Sequence, residues 1–118
     1  MSAAIERPDD NLWILRVRGV LRKSELNSIQ SRYARDIEPG GQAKLLVLLE
    51  AFEGWEQGAA WDDLDFFATH GDSITKIAFV GDPRWEFDAM TFAGAGIRDA
   101  PVRFFPPMAE AEARAWLD

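Results

Sequence analysis

The chain has 118 residues, one domain's worth, since domains most often run to about 100–150 residues. Apolar residues make up 47%, with five Trp and eight Phe, which is enough to bury a core and excludes disorder of the whole chain. The absence of Cys removes disulfides, thiolate zinc sites, iron–sulfur clusters and Cys nucleophiles, and a net charge of −7 without any basic run removes the electrostatic footprint of a nucleic-acid binder.

Met1 to Asp10 holds Glu6, Asp9 and Asp10 and no apolar stretch of the kind a secretory signal carries. The longest strongly apolar run, Leu45-Leu46-Val47-Leu48-Leu49, is far shorter than the about 20 residues a membrane span needs. A soluble, cytoplasmic chain is the expectation.

In chain order, a short strand around Ala4 to Glu6 pairs through an Asp9-Asp10-Asn11 turn with a second strand, Leu12 to Gly19. The second strand starts as an apolar run and ends in alternation, with Val17 between Arg16 and Arg18. Ser24 is the expected N-cap of a helix whose apolar positions, Leu26, Ile29, Tyr33 and Ile37, recur at helical spacing before Pro39-Gly40-Gly41. The run from Lys44 to Glu50 reads as a strand buried on both faces, although Leu is not a preferred strand residue. A loop over 51–58 is expected next, an ordinary connection anchored by Trp55 in the core, the other reading being a flap hinged at Gly54 and Gly58. A second helix fits 59–70, a strand 75–80, a third helix 84–93, a last strand 102–105 and a closing helix 109–117 that turns Trp116 and Leu117 inward. The order β-β-α-β-α-β-α-β-α predicts a single α/β domain over 1–118, with a mixed, mainly parallel sheet and one antiparallel hairpin at its N-terminal end.

Phe52-Glu53-Gly54-Trp55, Trp61-Asp62-Asp63-Leu64, Phe67, Ile77-Ala78-Phe79-Val80-Gly81-Asp82, Trp85, Phe104-Phe105 and Ala115-Trp116-Leu117 form an ordered set. Over residues 5 to 118 that set resembles the SpoIIAA-like family, small bacterial single-domain chains with a fold like the STAS domain. The resemblance implies a βα superhelix and a non-enzymatic role, with an apolar small molecule or a membrane surface as the partner suggested for some members. One departure bears on function. Anti-sigma-factor antagonists of the STAS fold carry a phosphorylatable Ser or Thr at the start of the helix after the central strand. Here the stretch from Glu50 to Gly58 has no hydroxyl, and the next is Thr69. A phosphorylation switch in that loop is chemically unavailable.

At about 100° per residue, Trp61, Leu64, Phe67 and Ala68 share one face of the second helix, and Trp85, Ala89, Phe92 and Ala93 one face of the third. Phe66 and Phe87 fall off those faces. An apolar crevice between the two helices, rimmed by Phe66 or Phe87, suits a lipophilic ligand. The alternative is that these rings pack on one another. Ligands in open α/β sheets gather beyond the carboxyl ends of strands. That rule brings in Phe52 and Trp55 of the 51–58 segment and Asp82 at the end of the adjoining strand. The expected ligand-binding set is therefore Phe52, Trp55, Trp61, Phe66, Asp82, Trp85 and Phe87.

The acidic residues Glu50, Glu53, Glu56, Asp62, Asp63, Asp65 and Asp82 lack any metal-loop spacing and read as a solvated face. His70, the one His, lies near a helix C-terminus, where it has a structural reason to be. No Ser stands in a Gly-x-Ser-x-Gly context and no Walker motif occurs. Gly94-Ala95-Gly96 follows a helix and so caps it rather than opening a dinucleotide site. Arg16 and Arg18 share a strand face and are expected to pair with carboxylates, the other reading being contact with anionic headgroups. The sequence thus favours a binding module without catalysis and without a cofactor, for an apolar or amphipathic, lipid-like ligand. Peripheral membrane contact through Phe and Trp is the further partner, against which the negative charge works. The alternative is a regulatory module that binds another protein.

Overall fold

The computed structural model describes residues 3–9, 11–36, 42–57, 74–92 and 101–117. The predicted second helix, with Trp61, Phe66 and His70, lies outside them, as do the glycines at 94 and 96. Five strands form one sheet: β1 (Ala3–Asp9), β2 (Leu12–Leu21), β3 (Ala43–Trp55), β4 (Ile74–Val80) and β5 (Val102–Phe105). Their spatial order is their order in the chain. β1 and β2 are antiparallel, and every later pairing is parallel. Among the described residues three helices accompany them: α1 (Lys23–Asp36), α2 (Glu86–Phe92), entered through a 3₁₀ turn at Pro83–Trp85, and α3 (Glu110–Leu117), entered through another at Pro107–Ala109. The α/β class, the mixed sheet and the N-terminal hairpin agree with the sequence.

Alternation sorts the strand side chains onto two faces. Trp13, Leu15, Val17, Val47, Ile77 and Phe79 point to one face, where Leu26 and Tyr33 of α1 and Ala89 of α2 pack on them. Ile14, Leu46, Leu48, Ala78 and Val80 point to the other, under Ala113 and Leu117 of α3. Both faces of the central strands are therefore buried, which is why Leu45 to Leu49 reads as an unbroken apolar run. Ala78 and Ala113, each wholly buried, let α3 lie close to β4. Lys76 Nζ donates to the Trp116 carbonyl at 2.9 Å, placing a cation at the C-terminal end of α3.

The helix starts differ from expectation at one point. Arg22, and not Ser24, precedes α1: its carbonyl accepts from Glu25 and Leu26 N–H, both at 3.1 Å. Ser24 lies inside the first turn, where its carbonyl accepts from the Ser28 hydroxyl. A carboxylate from elsewhere serves the helix start instead, since Lys23 N–H donates to Glu56 just beyond β3, at 3.3 Å.

The largest correction concerns 51–58. No flap follows the central strand at Glu50; β3 continues to Trp55, paired with β2 throughout. Two register shifts make this possible. Arg18 pairs with Glu50 and Gly19 with Phe52, so Ala51 is extra; Val20 then pairs with Gly54, so Glu53 is extra. Ala51 takes φ +49° and Gly54 φ +115°, and on β2 Gly19 takes φ +61°. Each extra residue reverses the alternation. Leu49, Phe52 and Trp55, three apart in sequence, consequently all face α1.

Candidate functional site

The face that carries α1 holds a partly open apolar cavity of about 100 Å³. Leu26, Ile29 and Tyr33 of α1 form one wall, and Leu15, Val47 and Phe79 of the sheet the opposite one. Phe52 and Trp55 close it beside Leu21, and Trp13 lines it near Tyr33. Among the described residues Lys44 is the one charged residue in its wall, beside the polar Gln30 of α1, and by alternation Lys44 belongs with Leu46 and Leu48 on the α3 side. The cavity therefore offers burial and almost no polarity.

A second space of about 350 Å³ opens at the carboxyl end of β4 and beside Leu48 to Phe52 of β3. Glu50, Asp82, Arg84 and Glu110 give it a mixed polar lining. Leu49 and Phe52 line both spaces, so these two side chains form the partition between them. Phe52 is held there by rings on two sides. It meets Trp55 and Trp85 edge-on, each with centroids 5.0 Å away, and the two indoles stand 6.1 Å from each other. Gly54 makes room for this group, because a Cβ on it would stand 3.4 Å from the Trp85 ring.

Of the seven expected binding residues, the structure brings together Phe52, Trp55 and Trp85. Phe52 and Trp55 line the apolar cavity, and Trp85 faces the polar crevice. Asp82 also lines the crevice, and its carboxylate accepts from Arg84 N–H at 3.0 Å, capping the turn that leads into α2. Phe87 is 79% exposed and stands apart from the ring cluster. Trp61 and Phe66 lie outside the described residues. Sequence reasoning missed the main wall, Leu15, Val47 and Phe79 on the sheet against Leu26 and Tyr33 on α1. Each of these reads as ordinary core, and no sequence signal separates a core residue that touches a void from one that does not.

The polar groups near the site are tied to structural partners. Arg16 donates to Glu6 at 2.9 Å and to Glu50 at 2.8 Å, and Arg18 approaches Glu50 at 3.9 Å. Glu50 and then Glu6 hold the Arg16 guanidinium above its ordinary pKa through these hydrogen bonds, so Arg16 is a fixed cation. The pairing with carboxylates matches the expectation for both arginines. Among the described residues no cluster of three His, Asp or Glu side chains is placed to hold a metal ion. Among them also, no helix is long and apolar enough to cross a membrane. Trp13 presents a different kind of polar group. Its ring is 1% exposed, and its buried Nε1 has no hydrogen-bond partner. A buried donor left in that state costs about 1–3 kcal/mol.

The model of the family described as SpoIIAA-like matches residues 12–118, which is all of the chain except the β1 hairpin arm and its turn. The chain belongs to the SpoIIAA-like family. A crystal structure of an uncharacterized protein of the DUF3478 family from Shewanella loihica PV-4, itself with a SpoIIAA-like fold, is similar to it. The TM-score is 0.70 at 21% identity, over 98% of this chain and 92% of that one. At that identity the likeness is one of fold. No curated protein matches the sequence.

Proposed function

We propose that this SpoIIAA-like chain is a binding module, and that it takes a small or slender apolar molecule, or the apolar end of an amphipathic one, into the cavity between α1 and the sheet. The observation that carries this reading is the cavity itself, about 100 Å³ with predominantly apolar walls. Dry apolar voids of this kind bind apolar guests, as an engineered core cavity of about 150 Å³ binds benzene. The smaller volume here suits a short alkyl segment, and each methylene it buries contributes about 0.8 kcal/mol. Phe52 is the partition a longer ligand displaces to reach the polar crevice with its head group. Binding rather than catalysis is favoured by the state of the acidic groups nearby. Glu50 is engaged by two arginines, Glu56 serves the start of α1 and Asp82 caps a turn, which leaves none of the three poised as a base.

A thermal-shift titration with 1-hexanol tests the reading. The melting temperature rises with ligand concentration for the wild type, as binding to the native state alone requires. Val47→Phe, which places a ring in the void, abolishes the rise. A wild type whose melting temperature is indifferent to hexanol refutes the proposal.

A second reading, a module that docks on another protein, draws on Phe87 and Met108, 79% and 93% exposed on the segments that follow β4 and β5. Single exposed apolar residues are common on soluble domains, so this observation weighs less than a void.

A further inference from the structure

Trp13 is an expensive choice for a cavity wall. Its packing contacts are those any aromatic ring would make: Tyr33 meets it edge-on with centroids 5.1 Å apart, and the Arg7 guanidinium lies 4.9 Å over its face. Phe at this position would serve both neighbours and bring no donor to satisfy. The indole adds a buried N–H without an acceptor, a state Trp85 shares, but of these two only the Trp13 ring lines the cavity. Buried donors in native proteins nearly always have a partner, and an orphan points to a group that completes it. We infer that the part of the occupant held in this cavity is uncharged and carries a hydrogen-bond acceptor, a carbonyl, ether or hydroxyl oxygen, which receives the Trp13 Nε1 hydrogen. The inference rests on the cavity reading above and adds the chemistry of the occupant. A carboxylate is disfavoured, because burying an anion against these walls costs far more than one N–H returns, and Lys44 belongs to the opposite face of the sheet.

The test uses two probes of one shape, 2-pentanone and 2-methyl-1-pentene, which differ in having an oxygen or a methylene at the same place. Both are titrated by nuclear magnetic resonance into the wild type and into Trp13→Phe. In the wild type both probes bind, and the ketone moves one indole Hε1 resonance downfield, that of Trp13, out of the five the chain contains. The alkene leaves it in place. Trp13→Phe weakens the ketone about three- to tenfold and changes the alkene less than twofold, the size expected for one neutral hydrogen bond. Where Trp13→Phe does not fold, the backbone-assigned Hε1 shift in the wild type decides alone. Equal behaviour of the two probes at Trp13, with both binding, overturns the acceptor and leaves the cavity reading standing. Failure of both to bind overturns the cavity reading and this inference together.

Discussion

Gly54→Ala probes the double bulge on which the ring cluster depends. Gly54 is buried inside β3 at φ +115°, outside every region an L-residue occupies without strain. Holding Ala there costs about 1–3 kcal/mol. The new methyl would stand 3.4 Å from the end of the Trp85 ring, a tight contact that a small tilt of the indole relieves, so sterics add little. The usual gain of about 0.4–1 kcal/mol from stiffening the unfolded chain by Gly→Ala opposes the strain and does not cancel it. The net expectation is a loss of about 1–2 kcal/mol. For a domain of this size that lowers the melting temperature by about 4–8 °C. Far-UV circular dichroism reads the transition. Near-UV circular dichroism reads the packing of Phe52, Trp55 and Trp85, which weakens in the same variant. An unchanged or raised melting temperature with an intact near-UV spectrum would show that β3 reaches Trp55 by another backbone path, and the bulge argument would fall.

Ala51→Gly moves the other way. Ala51 sits at φ +49°, where an L-residue with a Cβ is strained by about 1–2 kcal/mol, and glycine relieves this at an entropic cost of about 0.4–1 kcal/mol. A rise in melting temperature of up to about 4 °C is expected, and a fall contradicts the assigned conformation. Arg16→Met tests the ion pairs on the outer half of the sheet. Arg16 is 40% exposed between Glu6 and Glu50, so its loss changes stability by less than about 1 kcal/mol, and the difference shrinks further in 1 M salt. A larger effect by urea denaturation, insensitive to salt, would mean that the pairs are shielded from water.

The sequence exposes most of the strands and helices because their signals are local. Val17 between Arg16 and Arg18, the run from Leu45 to Leu49 and the Pro107-led closing helix each announce their element within a few residues. The path of β3 beyond Glu50 is hidden for a physical reason. Its inward residues Leu49, Phe52 and Trp55 are spaced by three, a period that belongs to neither a strand nor a regular helix. Only the partner register on Arg18, Gly19 and Val20 reveals that Ala51 and Glu53 are looped out. Glycine at 54 was visible, but a glycine marks a hinge or a bulge equally well. The cavity is concealed more deeply. A void is a property of three walls at once, and Leu15, Val47 and Leu26 carry no trace of it individually. Phe52 and Trp55 are legible as candidates because two large rings beside a glycine after a central apolar run call for an explanation, and both line the cavity. Trp13 is not legible in this way, since an indole in an apolar run looks like core until its nitrogen is found without a partner.

The sheet keeps its strands in the order in which the chain is made. A growing polypeptide therefore never has to wait for a distant segment before pairing. The hairpin of β1 and β2 closes on itself, β3 docks on an edge that already exists, and β4 and β5 extend it in turn. Pairing between chain neighbours keeps loop closures short and favours fast, stepwise assembly during synthesis. The exception is α3, which seals the far side of β3 and β4 and is translated after every strand. Until it arrives, Leu46 and Leu48 lack that cover, so a ribosome stalled short of α3 holds a nascent sheet with an apolar face that α3 has yet to bury.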